Sequence, residues 1–204
     1  MIEIITDPDA FFRRETGEPS TLGPVAVVLV SGLVALGAVI PTIQLISQAV
    51  PEGGSVFATA ATAGGAIAAI VGPFVVWLLY TAAFYVISLV FEGEGGFVSL
   101  LKLVGWGFVP QILGAAVNAA AAFYAVSNID PPSGSAEVGS AVAQFQNSPA
   151  MMAATVFGIV ITVWQGFLWT FAVKHGRNLD LRSAALTVAG PVLVGILLRA
   201  NQLL

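Results

Sequence analysis

MMAATVFGIVITVWQGFLWTFAV, residues 151–173, carries no charged side chain and is longer than the roughly 20 residues a helix needs to cross a bilayer. Ten of its residues are Val156, Phe157, Ile159, Val160, Ile161, Val163, Phe167, Leu168, Phe171 and Val173. At about 0.3 to 0.6 kcal/mol each, they favour insertion by roughly 3 to 6 kcal/mol, which the single amide of Gln165 does not reverse. Four stretches of the same kind surround it: Pro24 to Val50, Ala66 to Phe91, Leu103 to Ser127 and Ser183 to Leu203. With 57% of residues apolar and 9% charged, one membrane domain accounts for almost the whole chain. Lipid offers the backbone no hydrogen-bond partner, so runs of this length must be helical. The predicted fold is all-α, a polytopic transmembrane helical bundle of five spans.

Lys and Arg, rather than net charge, set the orientation. Arg13 and Arg14 precede the first span, Lys102 falls in the second connection, and Lys174, Arg177 and Arg182 fall in the fourth. The first and third connections carry only Glu52, Asp130 and Glu137. This alternation predicts a multi-pass protein of the cell membrane with a cytoplasmic N-terminus and an outside C-terminus. Arg199, close to the C-terminus, is expected to snorkel into the headgroups. A competing division starts the second span at Gly72-Pro73 and leaves the Ala- and Gly-rich segment Val56 to Val71 outside it. There is no cysteine, hence no disulfide, no thiolate metal site and no thiol nucleophile. No basic n-region leads into the first apolar run, so no cleaved leader is expected. Nor is there a basic run long enough to bind nucleic acid.

Residues 1–23 read as a cytoplasmic tail and residues 24–204 as the membrane domain. In the tail, Asp7-Pro8-Asp9 is an N-cap followed by proline at the first helical position. The short helix it starts has an apolar wedge, Phe11 and Phe12, and a basic edge, Arg13 and Arg14, suited to the membrane interface. The connection Glu92 to Leu101 is a Gly-rich turn that re-enters apolar sequence almost at once, forming a tight cytoplasmic hairpin. The connection His175 to Arg182 is short enough to make the fourth and fifth spans antiparallel neighbours. Between the third and fourth spans, Pro131-Pro132 precedes Ala136 to Gln146, which reads as a short surface helix.

Catalysis inside a membrane needs ionisable groups facing one cavity, and the span centres supply none in this reading. His175 is the only histidine and sits beside Lys174, so no His and carboxylate metal site is expected and no cofactor is implied. The chain reads as a protein without enzymatic activity. The amides Gln44, Gln48, Gln111, Asn118 and Gln165 are expected to hydrogen-bond helix to helix, with a solute path as the alternative. Trp77, Trp106, Trp164 and Trp169 read as interfacial anchors or packing groups. Arg13, Arg14, Lys102, Lys174, Arg177 and Arg182 converge on the cytoplasmic surface, where anionic lipid headgroups attract each by about 1 kcal/mol.

Gly105-Trp106-Gly107-Phe108-Val109-Pro110 resembles the Gly-Tyr-Gly-x-Ser-Pro element of the Yip (Ypt-interacting protein) family, with Trp106 standing for Tyr and Val109 for Ser. The Asp-Pro-x-x-Phe-Phe tail and the Glu-Gly-Gly-Phe turn are similar to prokaryotic, archaeal-type members. Gly72-Pro73-Phe74 resembles a second element, Tyr-Gly-Pro-Phe, with Val71 replacing the Tyr. Gly105 and Gly107 permit close helix approach, and Pro110 is expected to kink the third span. The resemblance implies a non-enzymatic membrane scaffold or adaptor. Its partners would be the lipid bilayer, other membrane proteins including further copies of itself, and a Ras-like GTPase, since eukaryotic relatives act in vesicle traffic. The alternative reading is a small-solute permease or channel using Gln44, Gln111, Asn118 and Gln165.

Overall fold

A chain this apolar must satisfy its backbone within each segment, and the computed structural model is helical almost throughout the residues it describes, 3–17, 20–47, 55–130, 132 and 134–203. Gln48, Glu52 and Pro131 of the sequence reading lie outside them. The elements are α1 (Glu3–Thr6), α2 (Pro8–Gly17), α3 (Leu22–Ser47), α4 (Ser55–Ser88), α5 (Phe97–Trp106), α6 (Val109–Ser127), α7 (Val138–Gln146), α8 (Pro149–Gly176) and α9 (Leu181–Ala200). Among the described residues five helices, α3, α4, α6, α8 and α9, are long and apolar enough to cross a membrane. The helix α4 runs unbroken through residues 56–71, with Pro73 inside it, so no separate segment precedes Gly72-Pro73.

The five spans close a ring. α3 lies between α4 and α6, α6 passes on to α8, α8 packs on α9, and α9 returns to α4 along the sparsest of these seams. The third span is two helices rather than one kinked helix. After Trp106 the chain tightens into three-residue turns, with Gly107 N–H donating to Val104 O at 3.0 Å and Phe108 N–H to Gly105 O at 3.2 Å. Pro110 falls in the first turn of α6, where a missing N–H costs nothing because the helix has no carbonyl to offer it.

One end of the bundle gathers the N-terminal helices and the turns after α4 and α8, and with them every Lys and Arg except Arg199; we call it the basic face. Here the interior is dense, with Trp169, Phe84, Leu100, Val104, Phe108 and Val173 in one buried cluster. Asp7 caps α2 by accepting from Ala10 N–H at 3.0 Å. Phe11 and Phe12 are buried among Ile4, Leu103, Leu168 and Ala172. The apolar wedge of the tail therefore enters the protein instead of the lipid. At the opposite end α7 seats Ala141 and Phe145 on Leu45, Ala122, Ala125 and Ile129.

Candidate functional site

The helix break is held by two indoles. Trp77 of α4 donates its Nε1–H to Leu101 O at 2.8 Å, and Trp169 of α8 donates to Val104 O at 2.9 Å. Both tryptophans are buried packing groups, not interfacial anchors. The glycines explain how they fit. A Cβ on Gly107 would collide with the Trp169 indole nitrogen, and one on Gly105 would lie 2.6 Å from Pro24 Cβ and 2.9 Å from Trp77 Cζ2. Trp106 occupies the space that a side chain at Gly23 would need, and meets Phe11 edge-on with centroids 5.3 Å apart. The motif thus joins α5 to the tail, α3, α4 and α8 at once.

Six cations were assigned to the basic surface, and the structure separates them. Arg13 and Arg14 are exposed and pair with Asp9 and Glu3, and Arg182 is exposed as well. Lys102 is half-buried. Lys174 and His175 both reach back to Asp9, His175 Nε2 at 2.9 Å, which bolts α2 onto α8. Lys174, then His175 and Arg13, hold the Asp9 carboxyl well below the usual carboxylate range, against the opposing effect of burial.

Arg177 corrects its own reading as a headgroup cation: it is 1% exposed. Its Nε–H donates to Ser88 Oγ at 2.8 Å, its two terminal nitrogens donate to the carbonyls of Gly93 and Gly95, and its guanidinium lies 4.4 Å from the centroid of Tyr85. Glu94 N–H in turn donates to Arg177 O at 2.9 Å, so the turns after α4 and α8 are laced together. Gly95, at φ 99°, sits where a Cβ would lie 2.7 Å from Gly176 O. That backbone region and that contact both require glycine.

The amides behave differently from expectation. The side-chain amides of Gln111, Asn118 and Gln165 make no hydrogen bond among the described residues, although Gln165 is 4% exposed. They face cavities. Gln111, Gly114, Ala115 and Asn118, at helical spacing i, i+3, i+4 and i+7, present one face of α6 to a space of about 240 Å³. A second space of about 330 Å³ is lined by Gln111, Thr162, Gln165 and Tyr80, among others, with all five spans contributing. Gln44 is exposed and lines neither. Gln165 is sixteen residues from one end of α8 and eleven from the other, so these cavities sit near mid-depth.

Arg199 belongs to both cavities, which corrects its placement among the headgroups. Helical side chains lean toward the helix N-terminus, and for a residue near the C-terminal end of α9 that direction is into the bundle. A Cβ on Gly158 would lie 2.7 Å from Arg199 Nη1, so the guanidinium packs against that glycine. No acidic side chain pairs with it among the described residues. A charged side chain held inside a membrane bundle is costly and is kept where it serves a purpose. The sequence carried one signal for it, the small residue Gly195 one helical turn before Arg199 on the same face of α9.

Similar proteins give the site a context. An uncharacterized protein of Methanocaldococcus jannaschii is 34% identical over 126 residues, covering 61% of this chain and 89% of the relative. No solved structure matches the chain. The family model described as the Yip1 domain matches residues 2–200, a stretch that takes in the tail, the stapled break and the cavities, and the chain belongs to the Yip1 domain family of multi-pass membrane proteins.

Proposed function

We propose that this protein is a scaffold or adaptor of the cell membrane, with its basic face in the cytoplasm, that binds lipids and other membrane proteins. The family is one of non-enzymatic membrane proteins implicated in membrane traffic and organisation. The observation that carries the reading is the rigid seat of α2. Buried Phe11 and Phe12, with Asp9 bonded to Lys174 and His175, fix the exposed Arg13 and Arg14 at the edge of the bundle. A fixed basic edge suits anionic headgroups or the acidic surface of a partner, of which a Ras-like GTPase is one candidate. Along α4, Gly64 and Gly72 have open space beside them, which lets another helix approach closely, whether from a partner or from a second copy.

A small-solute permease is the second reading, because Gln111, Asn118 and Gln165 line adjoining cavities instead of bonding helix to helix. Crosslinking in native membranes followed by detergent purification separates the two. The scaffold reading expects homo-oligomers or co-purifying membrane proteins, and no solute flux in reconstituted liposomes. Free monomer alone in the native membrane contradicts it, and flux abolished by Asn118→Leu in a folded protein transfers support to the permease.

A further inference from the structure

We infer that the cavity at Arg199 holds the acidic headgroup of a membrane lipid, which enters sideways between α4 and α9 and leaves its hydrocarbon chain in the groove there. The inference rests on the lipid-binding part of the scaffold reading and names a different place from the basic face. Four observations converge on it.

The first is charge. Arg199 is turned into the bundle with no acidic partner among the described residues, so a site that keeps it ionised at this depth calls for an anion from outside the chain. The second is the company it keeps. Gln111, Asn118, Gln165 and Thr162 line the same spaces, and the three amides have no hydrogen bond among the described residues, so their donors are available to phosphate or ester oxygens. The third is size. Spaces of about 240 and 330 Å³ suit a headgroup but not a whole lipid.

The fourth is the way in. The seam between α4 and α9 is the sparsest in the ring, and along it runs an apolar groove of about 650 Å³ open to the lipid side. Tyr80 and Val76 line both this groove and the cavity of Arg199, so the two spaces adjoin. Gly190 on α9 leaves open space beside the groove, whereas at Gly195 the Tyr80 hydroxyl closes in, so Tyr80 stands between the groove and the cavity. A cationic, polar pocket next to an apolar channel is complementary to an anionic amphiphile, and a soluble anion would leave the channel without a role.

The test uses the full chain in mixed micelles with phosphatidylglycerol or with phosphatidylcholine of the same chains, and native mass spectrometry reads the retained lipid. The wild type is expected to retain phosphatidylglycerol at least about tenfold over phosphatidylcholine, as a charge-assisted contact would give. Arg199→Gln, which removes a costly charge and should fold, loses that preference. Gly190→Leu fills the groove while leaving Arg199 in place, and a Cβ at Gly190 meets nothing within 4 Å. It too loses the preference. In a chain that already carries Arg13→Gln and Arg14→Gln, which remove the separate attraction of the basic face for acidic headgroups, Arg199→Gln causes the same loss. An unchanged preference in Arg199→Gln overturns the inference. So does retention that Gly190→Leu leaves intact and inorganic phosphate displaces, which marks the ligand as free phosphate. If instead the Arg13 and Arg14 variant loses the lipid while Arg199→Gln keeps it, lipid binding stands at the basic face and the Arg199 site falls.

Discussion

Arg177→Met is expected to destabilise the bundle by about 3 to 5 kcal/mol, the largest effect of any single basic residue. The guanidinium is buried and spends its donors on Ser88 Oγ and the carbonyls of Gly93 and Gly95, while stacking on Tyr85. Its removal strands three acceptors, each costing about 1 to 3 kcal/mol if unsatisfied, and loses a cation–π contact of about 0.5 to 2 kcal/mol. Relief from burying a charge, and water entering near the end of the bundle, keep the total below the simple sum. Arg177→Lys should recover little, because a single ammonium cannot span the positions that the planar fork reaches. Thermal unfolding in detergent reads both variants. A surface cation would give changes within about 0.5 kcal/mol, and that outcome would refute the buried clamp.

Gly107→Ala is expected to cost about 2 to 4 kcal/mol, a severe effect for one added methyl group. The new Cβ would lie 2.2 Å from the Trp169 indole nitrogen, forcing the ring off the Val104 carbonyl. Trp169 also touches Tyr80, Phe84 and Phe108, with centroids 4.5 to 5.6 Å away, so its displacement spreads through the dense half of the core. Gly134→Ala is the matched control, since a Cβ there meets nothing within 4 Å. The same unfolding assay, together with a red shift of tryptophan emission in Gly107→Ala alone, checks the claim. Equal stability of the two variants would show that the close approach is not needed.

The spans were legible in the sequence because core and lipid both demand apolar side chains, and that demand is uniform along twenty or more residues. The cap at Asp7 was legible for a local reason, since its bond reaches only to Ala10. What escaped the sequence depends on contacts from far away. The break at Gly107 is visible as a motif, but its staples come from Trp77 and Trp169, which are 24 and 65 residues from the carbonyls they cap. Arg177 reads as a surface cation until Gly93 and Gly95, 84 and 82 residues earlier, present their carbonyls. Arg199 is a different case. Its inward lean follows from helix geometry alone, and assigning it to the headgroups overlooked which way a side chain at the end of a helix points. Gln111 and Asn118, seven residues apart, share a face by the same geometry, whereas nothing local joins Gln165 to them.

Five spans cross the membrane an odd number of times, and the proposed function puts the basic face on the cytoplasmic side. The chain has no cysteine, so single cysteines report on position without interference. Ser20→Cys and Gln202→Cys, probed in intact cells with a membrane-impermeant maleimide, test this directly. The prediction is that Gln202→Cys is labelled from outside and Ser20→Cys only after the membrane is opened. Labelling of both from the same side would contradict it.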